Sequence, residues 1–353
     1  MTERLDFFDF TRSGLEDWFE GRGLPRYRAR QIFQNAYQRG ATTFEAMTDL
    51  PVPLRRELGE TLVLDALAGS RRLRSAEDGS QKVLWTLRDG KEVESVLMGA
   101  EYGETICFST QVGCAFMCAF CVTGKMGRLR NLTAGEIVAQ IVAIDRLRSE
   151  RRPAANLVAM GMGEPLDNLD ALLRALAILR DPLGMNVSGR RITVSTVGVV
   201  PGIDRLAREN PSVGLALSLN ATTNAVRREL MPVTRKWPIE VLLSAVERYA
   251  AASERQVTLE YVLIKGVNDT PEDADRLGRI AERFPTKLNV IPFNPSDLFP
   301  YERPDPDAVD AFARRLRRYR TTVTVRYSKG LDILAACGQL GYGQVKDKLA
   351  AGT

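Results

Sequence analysis

The chain has 353 residues, 44% hydrophobic and 26% charged, with a net charge of +5 and an isoelectric point near 9.0. That balance supports an ordinary packed core and makes disorder the unexpected state. No apolar run reaches membrane-spanning length, and the absence of histidine excludes histidine acid–base catalysis and every mixed cysteine–histidine metal site.

The amino terminus, MTERLDFFDFTRSGLEDWFE, is mixed in charge with no basic stretch leading into an apolar one, so no secretory leader is expected and the protein reads as cytoplasmic. Residues 1–66 are expected to form a small helical domain. RYRARQIFQNAYQRG has apolar spacing of about 3.6, and FEAMTDLPVPLRRELGETL follows across a proline-marked break. Residues 67–100 switch to alternation in KVLWTLRDGKEVESVLM, with Asp89-Gly90 as a hairpin signal, and are expected to form a short β extension.

Residues 101–340 alternate β-rich runs (ETICFST, NLVAMGMG, RITVSTVG, VGLALSLN, VTLEYVLI, KLNVIPFN) with amphipathic segments, beginning with TAGEIVAQIVAIDRLRSE. Thr133 with Glu136 predicts a capping box, and Thr270-Pro271 predicts a helix start. The strand TTVTVRYS closes the set, and residues 341–353 are left as a short C-terminal tail. The fold class is α/β. Strict βα alternation predicts a parallel sheet with right-handed crossovers. About six units predict an incomplete (β/α)6 barrel rather than the closed eight-unit form. Basic clusters at 22–30, 125–130, 227–236 and 314–320 read either as solvated helix faces or as grips for a polyanion.

Five cysteines are present. Cys114, Cys118 and Cys121 fall within CAFMCAFC, on the loop after the first barrel strand. Three thiolates so spaced can wrap a 4Fe–4S cube and leave its fourth iron open for a substrate. Structural zinc is the alternative, with only Cys107 or Cys337 to complete four ligands. The CxxxCxxC signature resembles that of the radical S-adenosylmethionine (SAM) superfamily, which implies such a cluster with SAM on the open iron. Gly163 with Glu164, Ser195, Asn220 and Asn294 fall at the ends of the second, third, fourth and sixth strands, where parallel barrels build their sites. They fit a pocket for the methionine groups, ribose and adenine.

The stretches QVGCAFMCAFCVTGKMGRLRNLTAGEIVAQI, MGMGEPLDN, ITVSTVGVVPGI, RRELMPVTRKWPIE, IPFNP and AACGQL, with GLPRYRARQIF and FEAMTDLPVPLRREL near the amino terminus, resemble the RlmN family over nearly the whole chain. The resemblance implies a dual-specificity methyltransferase acting on adenine carbon 2 of 23S ribosomal RNA and transfer RNA. It implies that Cys337 carries the methyl group, that Cys107 resolves the intermediate through a disulfide, and that Glu94 accepts the proton. SAM contacts are implied at Gly163, Glu164, Ser195, Ser218, Leu219, Asn220 and Asn294. The family commonly has SLHA where this chain has SLNA, so any ionising role at Asn220 is in doubt. An electron donor such as a flavodoxin-type protein and a monomeric state complete the expectation. Each outlying residue also has an ordinary reading: Cys337 a small buried helix residue, Cys107 a core strand position, Glu94 an exposed strand carboxylate. Cfr-type methylation of adenine carbon 8 uses the same cysteines and is the close alternative. A zinc-stabilised RNA-binding protein is the distant one.

Overall fold

The computed structural model describes residues 4–100, 103–148 and 155–351. Near the amino terminus, β1 (Leu5–Asp6) pairs in parallel with β2 (Leu62–Val63), bracketing helices α1 (Arg12–Glu20), α2 (Arg26–Tyr37) and α3 (Val52–Thr61). Pro25 and Pro51 occupy the N-cap positions of α2 and α3, and Thr11 caps α1 by accepting from the Gly14 N–H at 3.1 Å. The helices close on an aromatic knot in which Phe33 and Tyr37 have centroids 4.6 Å apart and Phe7 packs against both.

The alternating segment folds into an antiparallel meander, β3 (Leu67–Arg74), β4 (Gln81–Leu87) and β5 (Glu92–Ala100). Gly90, at φ 77°, makes the tight turn expected at Asp89-Gly90. The meander does not stand apart. β5 pairs antiparallel with β6 (Gly103–Cys107), so its strands continue the main sheet.

After β6 comes a small hairpin, β7 (Gln111–Gly113) and β8 (Arg128–Asn131), with α4 (Val122–Met126) between its arms. Regular βα units follow: α5 (Ala134–Asp145), β9 (Asn156–Ala159), α6 (Leu169–Arg180), β10 (Ile192–Thr196), α7 (Val200–Glu209), β11 (Gly214–Ser218), α8 (Asn224–Leu230), α9 (Ile239–Ser253), β12 (Val257–Leu263), α10 (Pro271–Ala281), β13 (Thr286–Pro292), α11 (Pro306–Leu316) and β14 (Thr322–Val325). Strands β6, β9, β10, β11, β12, β13 and β14 are parallel neighbours in that order. The ten-stranded sheet stays open, with β3 and β14 as its edges. Helices cover the parallel strands, and strands such as β11 (GLALS) are accordingly apolar along their length.

Two expectations change. The first long helix ends at Asp145, with Arg146 as its C-cap, and residues 149–150 of the expected segment lie outside the described residues. The expected tail forms helix α12 (Tyr342–Ala350), packed against α4. Among the described residues, no helix is long and apolar enough to cross a membrane.

Candidate active site

The cysteine loop is shaped by backbone before side chain. Gly113 has φ 76°, and a Cβ there would lie 1.8 Å from the Gly127 carbonyl oxygen, so only glycine fits. Cys114 N–H donates to that carbonyl at 3.1 Å, and Met117 at φ 49° turns the loop back. Three bonds then stitch the loop to distant segments: Ala119 N–H to Leu230 O at 2.8 Å, Val122 N–H to Gly338 O at 2.8 Å, and Thr123 Oγ1 to Leu340 O at 2.8 Å.

Cys114 and Cys118 are buried and Cys121 is half-buried. Burial raises all three thiols, Cys114 to about 12. They therefore ionise only against a compensating positive charge, as a bound metal provides. Among the described residues, no three cysteine, aspartate or glutamate side chains converge as a single metal ion requires.

Cys118 and Cys121 face a cavity of about 150 Å³ at the carboxyl ends of the parallel strands. Six expected residues line it: Gly163, Glu164, Ser195, Ser218, Asn220 and Asn294. Leu219 does not line it; its carbonyl accepts from Arg227 Nε at 3.0 Å. Glu164 is buried, and its oxygens accept from the N–H groups of Leu166 (3.0 Å) and Val197 (2.9 Å). Burial nevertheless pushes its pKa up to about 7. Asn220 sits at φ 55°, a conformation asparagine tolerates well. Its Oδ1 accepts from Val262 N–H at 2.8 Å and its Nδ2 lies 3.4 Å from Met231 Sδ. In this chain the position is occupied by a neutral amide already committed to its neighbours.

Cys337 also lines the cavity and is exposed to solvent there, unlike the buried helix residue of the ordinary reading. Asn294 Nδ2 donates to its carbonyl at 3.1 Å and to Ser328 Oγ at 2.8 Å, so Asn294 holds the Cys337 segment in place. Cys107 lies at the end of β6, buried, and burial pushes it up to about 12. It does not reach the main cavity. It shares with Cys337 and Arg326 a smaller one of about 20 Å³, and Met160 and Cys337 belong to both walls. All five cysteines are free thiols in this structure.

Glu94 is neither exposed nor part of either cavity wall. Its Oε2 lies 3.5 Å from Lys82 Nζ and accepts from Gly341 N–H at 3.2 Å. Burial raises its pKa against the pull of Lys82.

Sequence reading missed two charged residues. Glu260, in β12, lines the cavity while 7% exposed; Ser195 Oγ lies 3.4 Å from its Oε2, and its Oε1 accepts no hydrogen bond. Arg326 Nη1 lies 3.8 Å from that Oε1. Cys337 is exposed as a residue, yet the protein packed around its thiol at the cavity wall raises the pKa more than the Arg326 guanidinium lowers it. Neither stands in a motif; only the pairing of β12, β13 and β14 brings them to the site.

The basic clusters need correction. Arg227 is fully buried rather than on a solvated face. Arg26 and Arg30 bind Glu16, and Arg315 binds Asp275, so much of that charge is committed within the chain.

Residues 108–277 match the family model of the radical SAM superfamily, and residues 5–64 match that of the ribosomal RNA large subunit methyltransferase N-terminal domain. The chain is 48% identical over 340 residues to the dual-specificity RNA methyltransferase RlmN of Geobacter sulfurreducens, covering 96% of this chain and 93% of the relative. To that of Pelobacter propionicus it is 45% identical, covering 96% of each. The crystal structure of a radical SAM methyltransferase from Sphaerobacter thermophilus superposes with a TM-score of 0.92 at 46% identity, covering 95% of this chain and 99% of that one.

Proposed function

Because the chain belongs to the RlmN family of radical SAM RNA methyltransferases, we propose that it methylates carbon 2 of adenosine in 23S ribosomal RNA and transfer RNA, with Cys337 as methyl carrier. Family membership implies a 4Fe–4S cluster and SAM. The donor set fits: three thiols on one glycine-shaped loop, held protonated by burial until a metal takes up their charge. Cys114, Cys118 and Cys121 would hold the cluster, which when bound supplies the electron that splits SAM into a carbon-centred radical.

The rest falls to the chain's own residues. Gly163, Glu164, Ser195, Ser218, Asn220 and Asn294 would bind SAM from the strand ends. Leu219 would support the rim from behind, its N–H donating to Glu260 O and its carbonyl accepting from Arg227. Glu260 would orient Ser195 through Oε2 and hold Arg326 beside Cys337 through Oε1. The Cys337 thiolate, favoured by Arg326, would take a methyl from one SAM by displacement at the sulfonium. After that methyl gives a hydrogen atom to the SAM-derived radical, its carbon would bond to adenine carbon 2, and the adduct would lose the carbon-2 proton and one electron, the electron returning to the oxidised cluster. Glu94, paired with Lys82 and bonded to the Gly341 N–H, would accept the carbon-2 proton. Cys107, once deprotonated, would attack the Cys337 sulfur, forming the S–S bond as the bond from that sulfur to the CH2 carbon breaks; the carbon takes up a proton and leaves as the methyl of the base. A flavodoxin-type reductant, a cytoplasmic location and a monomeric state belong to the same proposal.

The observation that carries the reading is that Cys337 belongs to two cavity walls at once, one shared with Cys118 and Cys121, the other with Cys107. Protein purified without oxygen is expected to carry about four irons per chain and to place a methyl group at carbon 2, mapped by mass spectrometry of digested RNA. Cys337→Ala is expected to abolish methylation; retained activity overturns the carrier role. Methylation at carbon 8 would move the chain to the Cfr-type reaction, and a colourless protein holding one zinc would remove the cluster.

A further inference from the structure

Arg227 heads the fully buried side chains by volume, with 0% exposure. Its Nε donates to Leu219 O at 3.0 Å, its Nη1 to Thr234 Oγ1 at 2.9 Å, and its Nη2 to Val197 O at 2.7 Å and Ser218 O at 3.3 Å. Every acceptor is neutral. Burial lowers its pKa to about 10, still well above neutrality, and the opposing influence comes from the Cys118 thiol. No carboxylate pairs with it among the described residues. A guanidinium taken out of water without an anion is costly, and arginine does not escape the cost by losing its proton.

The missing anion belongs beside the cysteine loop. Helix α8, which carries Arg227, ends at Leu230, whose carbonyl accepts from Ala119 N–H between Cys118 and Cys121. Leu230, Met231 and Val233 pack with Cys118 in one apolar cluster. Three thiolates outweigh the positive charge of a cubane core, so a cluster on this loop is net anionic and more so when reduced. Cluster potentials respond to net charge and to nearby groups. We propose that Arg227 is the resident counter-cation of the cluster assigned above to Cys114, Cys118 and Cys121, favouring its reduced form. It is a positioning residue, since its hydrogen bonds also fix the ends of β10 and β11 on the rim. This rests on the cluster reading.

The test is a redox titration of the reconstituted full-length protein, followed by electron paramagnetic resonance. Wild type must first show about four irons and a signal on reduction; their absence would sink the cluster reading itself and leave Arg227 without an anion. Arg227→Gln removes the charge and is expected to lower the reduced-to-oxidised ratio at fixed potential about tenfold, a downward shift of about 59 mV for one electron. Arg227→Lys keeps the charge and is expected to stay near wild type. An unchanged potential in Arg227→Gln overturns the proposal, as does an equal shift in Arg227→Lys, which would leave only the hydrogen bonds. Should Arg227→Gln lose its iron, the lysine variant decides: retention supports the counter-charge, and equal loss refutes it.

Discussion

Gly163 shows how little freedom the site leaves at single positions. Its φ is +102°, and an added Cβ would lie 2.5 Å from Gln111 Cβ and 2.7 Å from Gln111 N. Gln111 in turn accepts from Glu164 N–H at 2.8 Å through its side-chain oxygen, so the turn before Glu164 is pressed onto β7. Gly163→Ala combines an unfavourable backbone angle with contact on main-chain atoms that cannot retreat. The expected loss is at least about 1–3 kcal/mol, measured by urea unfolding, and an unchanged midpoint would contradict the packing described. The sequence marked this residue through GMGEP, but the reason for glycine lies in β7, far away along the chain.

Among the elements, α5 has a start that local sequence specifies completely. Thr133 Oγ1 accepts from Glu136 N–H at 3.1 Å, and Glu136 Oε2 accepts from Thr133 N–H at 3.0 Å, closing the predicted capping box. Glu136 also accepts from both terminal guanidinium nitrogens of Arg130 at 2.8 Å, tying the end of β8 to the helix. Thr133→Ala is expected to cost about 1 kcal/mol. Glu136→Ala is expected to cost more, because it strips Arg130 of a bidentate partner. The two urea midpoints test this ranking, and equal losses would mean that the Arg130 bond contributes nothing. Element types were legible throughout the βα region because periodicity is local. Strand ends were not: ETICFST pairs only to Cys107, where its ladder with β5 and β9 stops.

At the scale of the molecule, the amino-terminal unit is fastened to the sheet domain through acids at the start of α5. Asp9 Oδ1 accepts from Gly135 N–H at 2.6 Å. Asp6 caps the short turn at Phe8, accepting from its N–H at 2.9 Å, while burial pushes its pKa from 3.8 to about 7. Below 3.8 the proton is bound in folded and unfolded chains alike. Between 3.8 and about 7 the folded chain keeps a proton that the unfolded chain releases, so this residue's contribution to stability falls as pH rises and levels off above that window. Asp6→Asn keeps an acceptor for Phe8 and removes the titration. Its melting temperature should gain on wild type steadily across the same window, and a difference independent of pH would refute the assignment.

What the sequence determined by itself was local or periodic: the three-cysteine loop, the caps, the meander turn, the run of βα units and the resemblance that spans them. These depend on neighbours a few positions apart, where spacing alone dictates which side chains can meet. Tertiary structure decided what those features do to one another. It placed Cys337 on two cavity walls, set Arg326 beside it, drew Glu260 to the rim and put Glu94 behind the Gly341 turn. It also took Arg227 from an apparent surface cluster into the core. No spacing rule encodes these outcomes, because burial, and with it the fate of every charge and thiol, arises only when strands distant in sequence share one sheet.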